Sequence, residues 1–157
     1  MRDAKPLLLH YCLLNFHSPP ISLSTLINRI PPRTLFFIDG LGAALSTFLL
    51  GVVLVKYEPL FGMPANVLYY LALAAAAFAV YSLSCFAFFP KKWPPFLRLI
   101  ALVNLSYCCL TLYLLFHHQQ PLSAWGNTYF ILEIVLVVVL SIVEWRVATR
   151  ALNSKVE

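Results

Sequence analysis

Four stretches of the chain, 35–55, 67–89, 96–116 and 126–145, are nearly unbroken runs of large apolar residues separated by short polar or proline-bearing segments. Roughly 20 such residues cross the roughly 30 Å of bilayer hydrocarbon as one helix. A helix satisfies its own backbone hydrogen bonds, which lipid cannot do. The pattern therefore predicts an all-α membrane protein, a four-transmembrane-helix bundle over 35–147. It leaves a proline-containing tail at 1–34 and a short basic tail at 148–157.

Within the runs, small and polar residues recur at spacings that return to one helix face. Residues seven or eleven apart differ by only about 20° around a helix of 3.6 residues per turn. The first run gives Asp39, Gly42, Ala43 and Ser46; the second Tyr70, Ala74, Ala77, Tyr81 and Ser84. The third gives Asn104, Tyr107, Cys108 and Thr111; the fourth Glu133, Val137, Ser141 and Glu144. These stripes are expected to face one another, because polar groups cost least away from lipid and small residues let helices approach.

Composition agrees with this reading. Hydrophobic residues make up 61% of the chain and charged residues 11%, with a mean hydropathy of +0.83, whereas soluble domains carry about 25% charged residues. The net charge of +5 does not indicate nucleic acid once the basic residues are placed. Arg2, Lys5, Arg29, Arg33, Lys91, Lys92, Arg98, Arg146, Arg150 and Lys155 fall on one side of a four-span topology, and Lys56 stands alone on the other. That bias puts both termini in the cytoplasm. The prolines of "HSPPISLSTLINRIPPR" predict an irregular cytoplasmic segment ahead of the first span. The loop "KYEPLFGMPAN" carries turn residues among apolar ones and is expected to fold back on the outer rim, with Glu58 facing outward.

Catalytic and cofactor motifs are missing. There is no glycine-rich phosphate loop, HExxH, GxSxG or CxxC. Cys85, Cys108 and Cys109 sit inside runs and read as small packing residues. His10 and His17 lie in the tail and His117 and His118 at a loop, so no histidines face each other across the bundle as a haem would need. The chain is expected to hold no cofactor and no metal, and to be no enzyme.

The intramembrane acids are what remains. Asp39 lies about 6 Å inside the cytoplasmic edge, near the levels of Arg98 and Glu144, with Arg146 just beyond. A cytoplasmic-end ion-pair cluster of Asp39, Arg98, Glu144 and Arg146 is expected, Arg98 snorkelling to meet Asp39. Such a pair is either a clamp between helices or a gate. Glu133 lies deeper, level with Ser46 and Tyr107, where no basic residue reaches. It is either a quiet hydrogen-bond donor or a site for a proton, cation or amine, with Tyr107, Asn104, Ser46 and Tyr81 as polar walls.

The segments "FFIDGLGAALSTFLLGVVLVKYEPLFGMP", "LYYLALAAAAFAVYSL", "NLSYCCLTL" and "ILEIVLVVVLSIVEWRV" resemble a group of small bacterial four-span inner-membrane proteins. The likeness runs from residue 36 to about 147. It implies a bacterial inner-membrane location and supplies no activity. Two function classes stand open at this point. One is a non-enzymatic membrane component or assembly partner, in contact with the lipid bilayer and with a second copy or another membrane protein. The other is a small-solute or proton-coupled transporter that uses Glu133, as a dimer in one version.

Overall fold

The structure, a computed structural model, describes residues 30–118 and 122–153. Residues 1–29 of the expected irregular tail, 1–34, lie outside the described residues, as does the end of the basic tail; the last residues of the first tail are already helical from Pro32.

Helix α1 is Pro32–Phe48, and it runs directly into a π-helical stretch, Leu49–Leu54. A single turn, α2 (Glu58–Phe61), leads to α3 (Ala65–Phe88), then α4 (Trp93–His117) and α5 (Ala124–Asn153). Among the described residues there is no strand. Prolines open α1, α2 and α4 within their first two positions, where the missing N–H would be unpaired anyway and φ is already helical. The helices are longer than the apolar runs: α1 begins at residue 32, α4 at 93, and α5 continues to 153.

The 23 residues Pro32–Leu54, together with α3 and α4, are long and apolar enough to cross a membrane. Leu41, Leu45, Phe48, Val52, Leu73, Val80, Leu102 and Leu110 project from them exposed, as lipid-facing side chains do. This is a membrane protein.

The long helices pack chiefly as two pairs, α1 with α3 and α4 with α5. Both pairs are antiparallel. Arg33 and Phe37 lie against Phe86, and Gly51 lies against Ala72; Arg98 meets Thr149, and Cys108 meets Ile134. Gly40 lets α3 come close: a Cβ there would stand 2.7 Å from Leu83 Cγ. The π-helical stretch turns Leu50 and Leu54 into a core with Met63, Leu68, Leu71, Ala72, Tyr107, Leu115 and Phe130.

The loop after α1 does fold onto the rim. Gly62, at φ 78°, ends α2 in the left-handed conformation that glycine adopts without strain, and Met63 is fully buried. Ser123 fastens this loop to the start of α5. Its N–H donates to Phe61 O at 3.1 Å and its hydroxyl to Leu60 O at 2.5 Å. Glu58 does not face outward as expected. It is half-buried, and its Oε1 accepts from the Ala65 N–H at 3.1 Å, capping α3 where unpaired N–H groups and the helix dipole both favour an acid.

Candidate functional site

Side chains from all four long helices meet in two enclosed polar layers. In the first, Asp39 of α1 accepts hydrogen bonds from two helices. The Ser82 hydroxyl of α3 donates to Oδ2, and the Asn104 amide of α4 donates to Oδ1 at 2.6 Å. Glu144 of α5 completes the layer beside Asp39 and Asn104. It is 0% exposed, with the Asn104 side chain as a nearby donor but no well-formed hydrogen bond to either carboxyl oxygen.

The second layer surrounds Glu133 of α5. Ser46 of α1, Tyr107 of α4 and Tyr129 of α5 are its polar neighbours, and the Phe78 ring of α3 packs edge-on against Tyr107 with centroids 6.0 Å apart. Both Glu133 oxygens, the Tyr107 hydroxyl and the Thr111 hydroxyl are buried, with Ser46 and Tyr107 as donors beside Glu133 and Thr111 beside Tyr107, but no well-formed hydrogen bond joins them. The seven residues from Asp39 to Ser46 and the eleven from Glu133 to Glu144 set the layers roughly 10 to 16 Å apart at 1.5 Å per residue.

The expected groupings are therefore partly realised. Glu133, Tyr107 and Ser46 come together at one depth, and Asp39 and Glu144 at the other. Asn104 belongs to the Asp39 layer rather than to the Glu133 wall. Tyr81 stands beside Cys85 of its own helix and is not among the polar neighbours of Glu133. Arg98 does not pair with Asp39. Its terminal nitrogen donates to Thr149 at 3.0 Å and its guanidinium lies 5.3 Å from the Trp145 ring centre. The reason is direction: Arg98 follows the outer side of the α4–α5 pair, while neutral donors on α3 and α4 already serve Asp39. Arg146 is exposed on α5 and joins neither layer.

The inward face of α3 differs from the expected stripe. Tyr70 is 73% exposed, and Ala77 and Ser84 are exposed as well. The buried face is Leu68, Leu71, Ala72, Ala75, Ala79, Ser82 and Cys85. Ser82 was thereby missed, although its spacing from Ala75 and Ala79 marks it as the polar end of a small-residue face. Gly40, next to Asp39, was missed too.

Among the described residues no three histidines, cysteines or acids come together as a metal site, and Cys85, Cys108 and Cys109 are free thiols. His117 stacks on Tyr113 at the end of α4. No protein-family model, curated protein or solved structure shows a significant match to the chain.

Proposed function

We propose that the chain is a four-span bundle of the bacterial inner membrane, with both termini cytoplasmic, that binds and passes a proton or small cationic solute at its enclosed carboxyls. In this reading α5 is the fourth span. Its two central acids, Glu133 and Glu144, share the inward face and are buried, while Ile131, Leu132, Val135, Leu136, Val139 and Ile142 are exposed, an apolar side suited to lipid. The orientation rests on the segregation of ten basic residues from Lys56, and the bacterial location on the resemblance noted above.

The observation that carries the reading is the state of the two glutamates. A carboxyl inside a protein is normally held by donors, and leaving one without them is costly. Asp39 is held by two donors; the glutamates have donors beside them, Ser46 and Tyr107 at Glu133 and Asn104 at Glu144, but no well-formed hydrogen bond. An acid held this loosely at membrane depth is a functional-site hypothesis by default. The role proposed is non-enzymatic; the Ser82 hydroxyl and the Asp39 carboxyl do meet, but both are enclosed and tie α1 to α3.

Infrared difference spectroscopy of the protein in lipid tests this, with Glu133→Gln and Glu144→Gln to assign the carboxyl bands. Bands that respond to pH and to added cation or amine are the expected result. Carboxyls that stay protonated and ignore both would refute it in favour of a second reading, an assembly component in which polar groups only fix the packing. One observation favours that alternative: Asp39 by itself ties α1 to α3 and α4.

A further inference from the structure

Because both helix pairs are antiparallel, α1 and α4 begin at the end of the molecule where α3 and α5 finish. Arg33, Lys91, Lys92, Arg146 and Arg150 are exposed at that end, while Asp39 and Glu144, the acids nearest to it, are enclosed. Arg98, in the second turn of α4, is the cation there that α5 holds in place. Its guanidinium lies 5.3 Å from the Trp145 ring centre and donates to the Thr149 hydroxyl at 3.0 Å; that hydroxyl donates in turn to Trp145 O at 2.8 Å. Both partners of Arg98 are neutral, and its Nε is buried without a hydrogen-bond partner.

We infer that Arg98, Trp145 and Thr149 form a binding site for an anionic phospholipid of the adjoining leaflet, whose phosphate meets the guanidinium while its acyl chains lie along α4 and α5. The site is independent of what the enclosed carboxyls carry.

Three features select this occupant. A partly buried charge needs a counter-charge, and Arg98 has none within the protein, since Asp39 is taken by Ser82 and Asn104. A guanidinium offers five N–H donors in a planar fork that fits two phosphate oxygens; Thr149 takes one of them, and the Trp145 ring and the Thr149 hydroxyl fix the plane, so little side-chain freedom remains to be lost on binding. The neighbouring charge favours a lipid with net negative charge over a zwitterionic one, because Lys91 and Lys92 in the turn before α4 and Arg146 next to Trp145 attract the first and repel the ammonium of the second. The apolar surface favours a lipid over a free phosphate. Leu102 lies one turn from Arg98 and Ile142 one turn from Trp145, each on the same helix face and toward the hydrocarbon, and they are 53% and 45% exposed. Acyl chains cover both; a soluble phosphate leaves them bare.

The test titrates the full chain in maltoside micelles with dioleoylphosphatidylglycerol, dioleoylphosphatidylcholine and glycerol phosphate, with bound ligand counted by native mass spectrometry. Phosphatidylglycerol is expected to bind about tenfold tighter than phosphatidylcholine, and glycerol phosphate not to displace it. Arg98→Gln should erase that preference, and Arg98→Lys should keep only part of it, because an ammonium is a point charge without the fork. Lys56→Gln, at the opposite end, should leave it intact. Trp145→Leu should weaken phosphatidylglycerol binding about threefold, the loss of one stacked cation, with helicity unchanged; it decides alone if neither Arg98 variant folds. Equal binding of the two lipids, or a preference that survives both Arg98→Gln and Trp145→Leu, would overturn the inference. So would an Arg146→Gln variant that loses as much as Arg98→Gln, since that describes attraction to a charged surface and no built site. Glycerol phosphate that displaces the lipid would make this a site for a soluble phosphate and overturn the lipid assignment.

Discussion

Asn104→Ala removes the hydrogen bond that joins the two helix pairs at the Asp39 layer. The bond is 2.6 Å long and both residues are at most 5% exposed. Hydrogen bonds to charged groups contribute about 1.5–3 kcal/mol in soluble proteins, while interhelical bonds measured inside membranes average about 0.6 and reach about 1.7 kcal/mol. The short distance and the carboxylate acceptor place this bond in the upper part of the membrane range. A coupling of about 1–1.5 kcal/mol is expected from the cycle Asp39→Ala, Asn104→Ala and the double variant. The single Asn104→Ala change should cost more, about 2–3 kcal/mol, because it also strands an Asp39 oxygen in a low-dielectric interior. Reversible unfolding in mixed micelles, followed by helicity, measures each term. Ser106→Ala is the control, since Ser106 is exposed and bonds only its own helix at Leu102 O; it should change stability by less than about 0.5 kcal/mol. A coupling under about 0.3 kcal/mol would mean that Asn104 and Asp39 act independently, and the argument for a polar clamp between the pairs would fall with it.

Glycines on α1 offer a matched pair. Gly40→Ala pushes a Cβ into Leu83, at 2.7 Å from its Cγ and 3.1 Å from its backbone nitrogen, while Gly42→Ala meets nothing within 4 Å. The first should lose about 1–3 kcal/mol and the second gain about 0.5–1 kcal/mol by stiffening the helix; thermal denaturation that ranks them the other way would refute the α1–α3 register. Gly126→Ala should be worse than Gly40→Ala, because its Cβ would overlap the Phe61 carbonyl, and a backbone group cannot swing aside as a leucine can. A melting temperature above that of Gly40→Ala would contradict the docking of α2 on α5. Glu58→Ala should cost about 0.5–2 kcal/mol as the loss of a cap, with faster hydrogen exchange at the Ala65 amide and little change for Glu58→Gln, whose carbonyl still accepts. Unaltered exchange in Glu58→Ala would show that the cap does not form.

What the sequence disclosed about this fold depended on how asymmetric each helix is. On α4, Asn104, Tyr107, Cys108 and Thr111 share one face and the leucines occupy most of the rest, so only one rotation hides the polar atoms, and that rotation is observed. On α5, Glu133 and Glu144 leave equally little choice. The alanine-rich α3 is different: residues 72, 75, 79 and 82 and residues 70, 74, 77, 81 and 84 both follow helical spacing, and small residues cost nearly the same on either face. Two tyrosines favoured the second set as polar. Yet Tyr70 sits in the first turns of α3, at the depth where a tyrosine faces the bilayer interface without penalty. The choice was decided by α1 instead, through Asp39, which takes a donor from Ser82, and through Gly40, which admits Leu83.

The same distinction governs the site. Counting residues along a helix gives depth, and depth correctly brought Asp39 to Glu144 and Glu133 to Ser46 and Tyr107. Depth says nothing about which way a long side chain turns, and Arg98 turns to Thr149 and Trp145. An arginine at Asp39 would have made the acid a finished ion pair. Ser82 and Asn104 instead hold it with two neutral donors, and Asn104 also stands beside Glu144. Without that ion pair the joint of α1 with α3 and α4 at this level rests on neutral donors, which is why the Asp39–Asn104 cycle measures it directly.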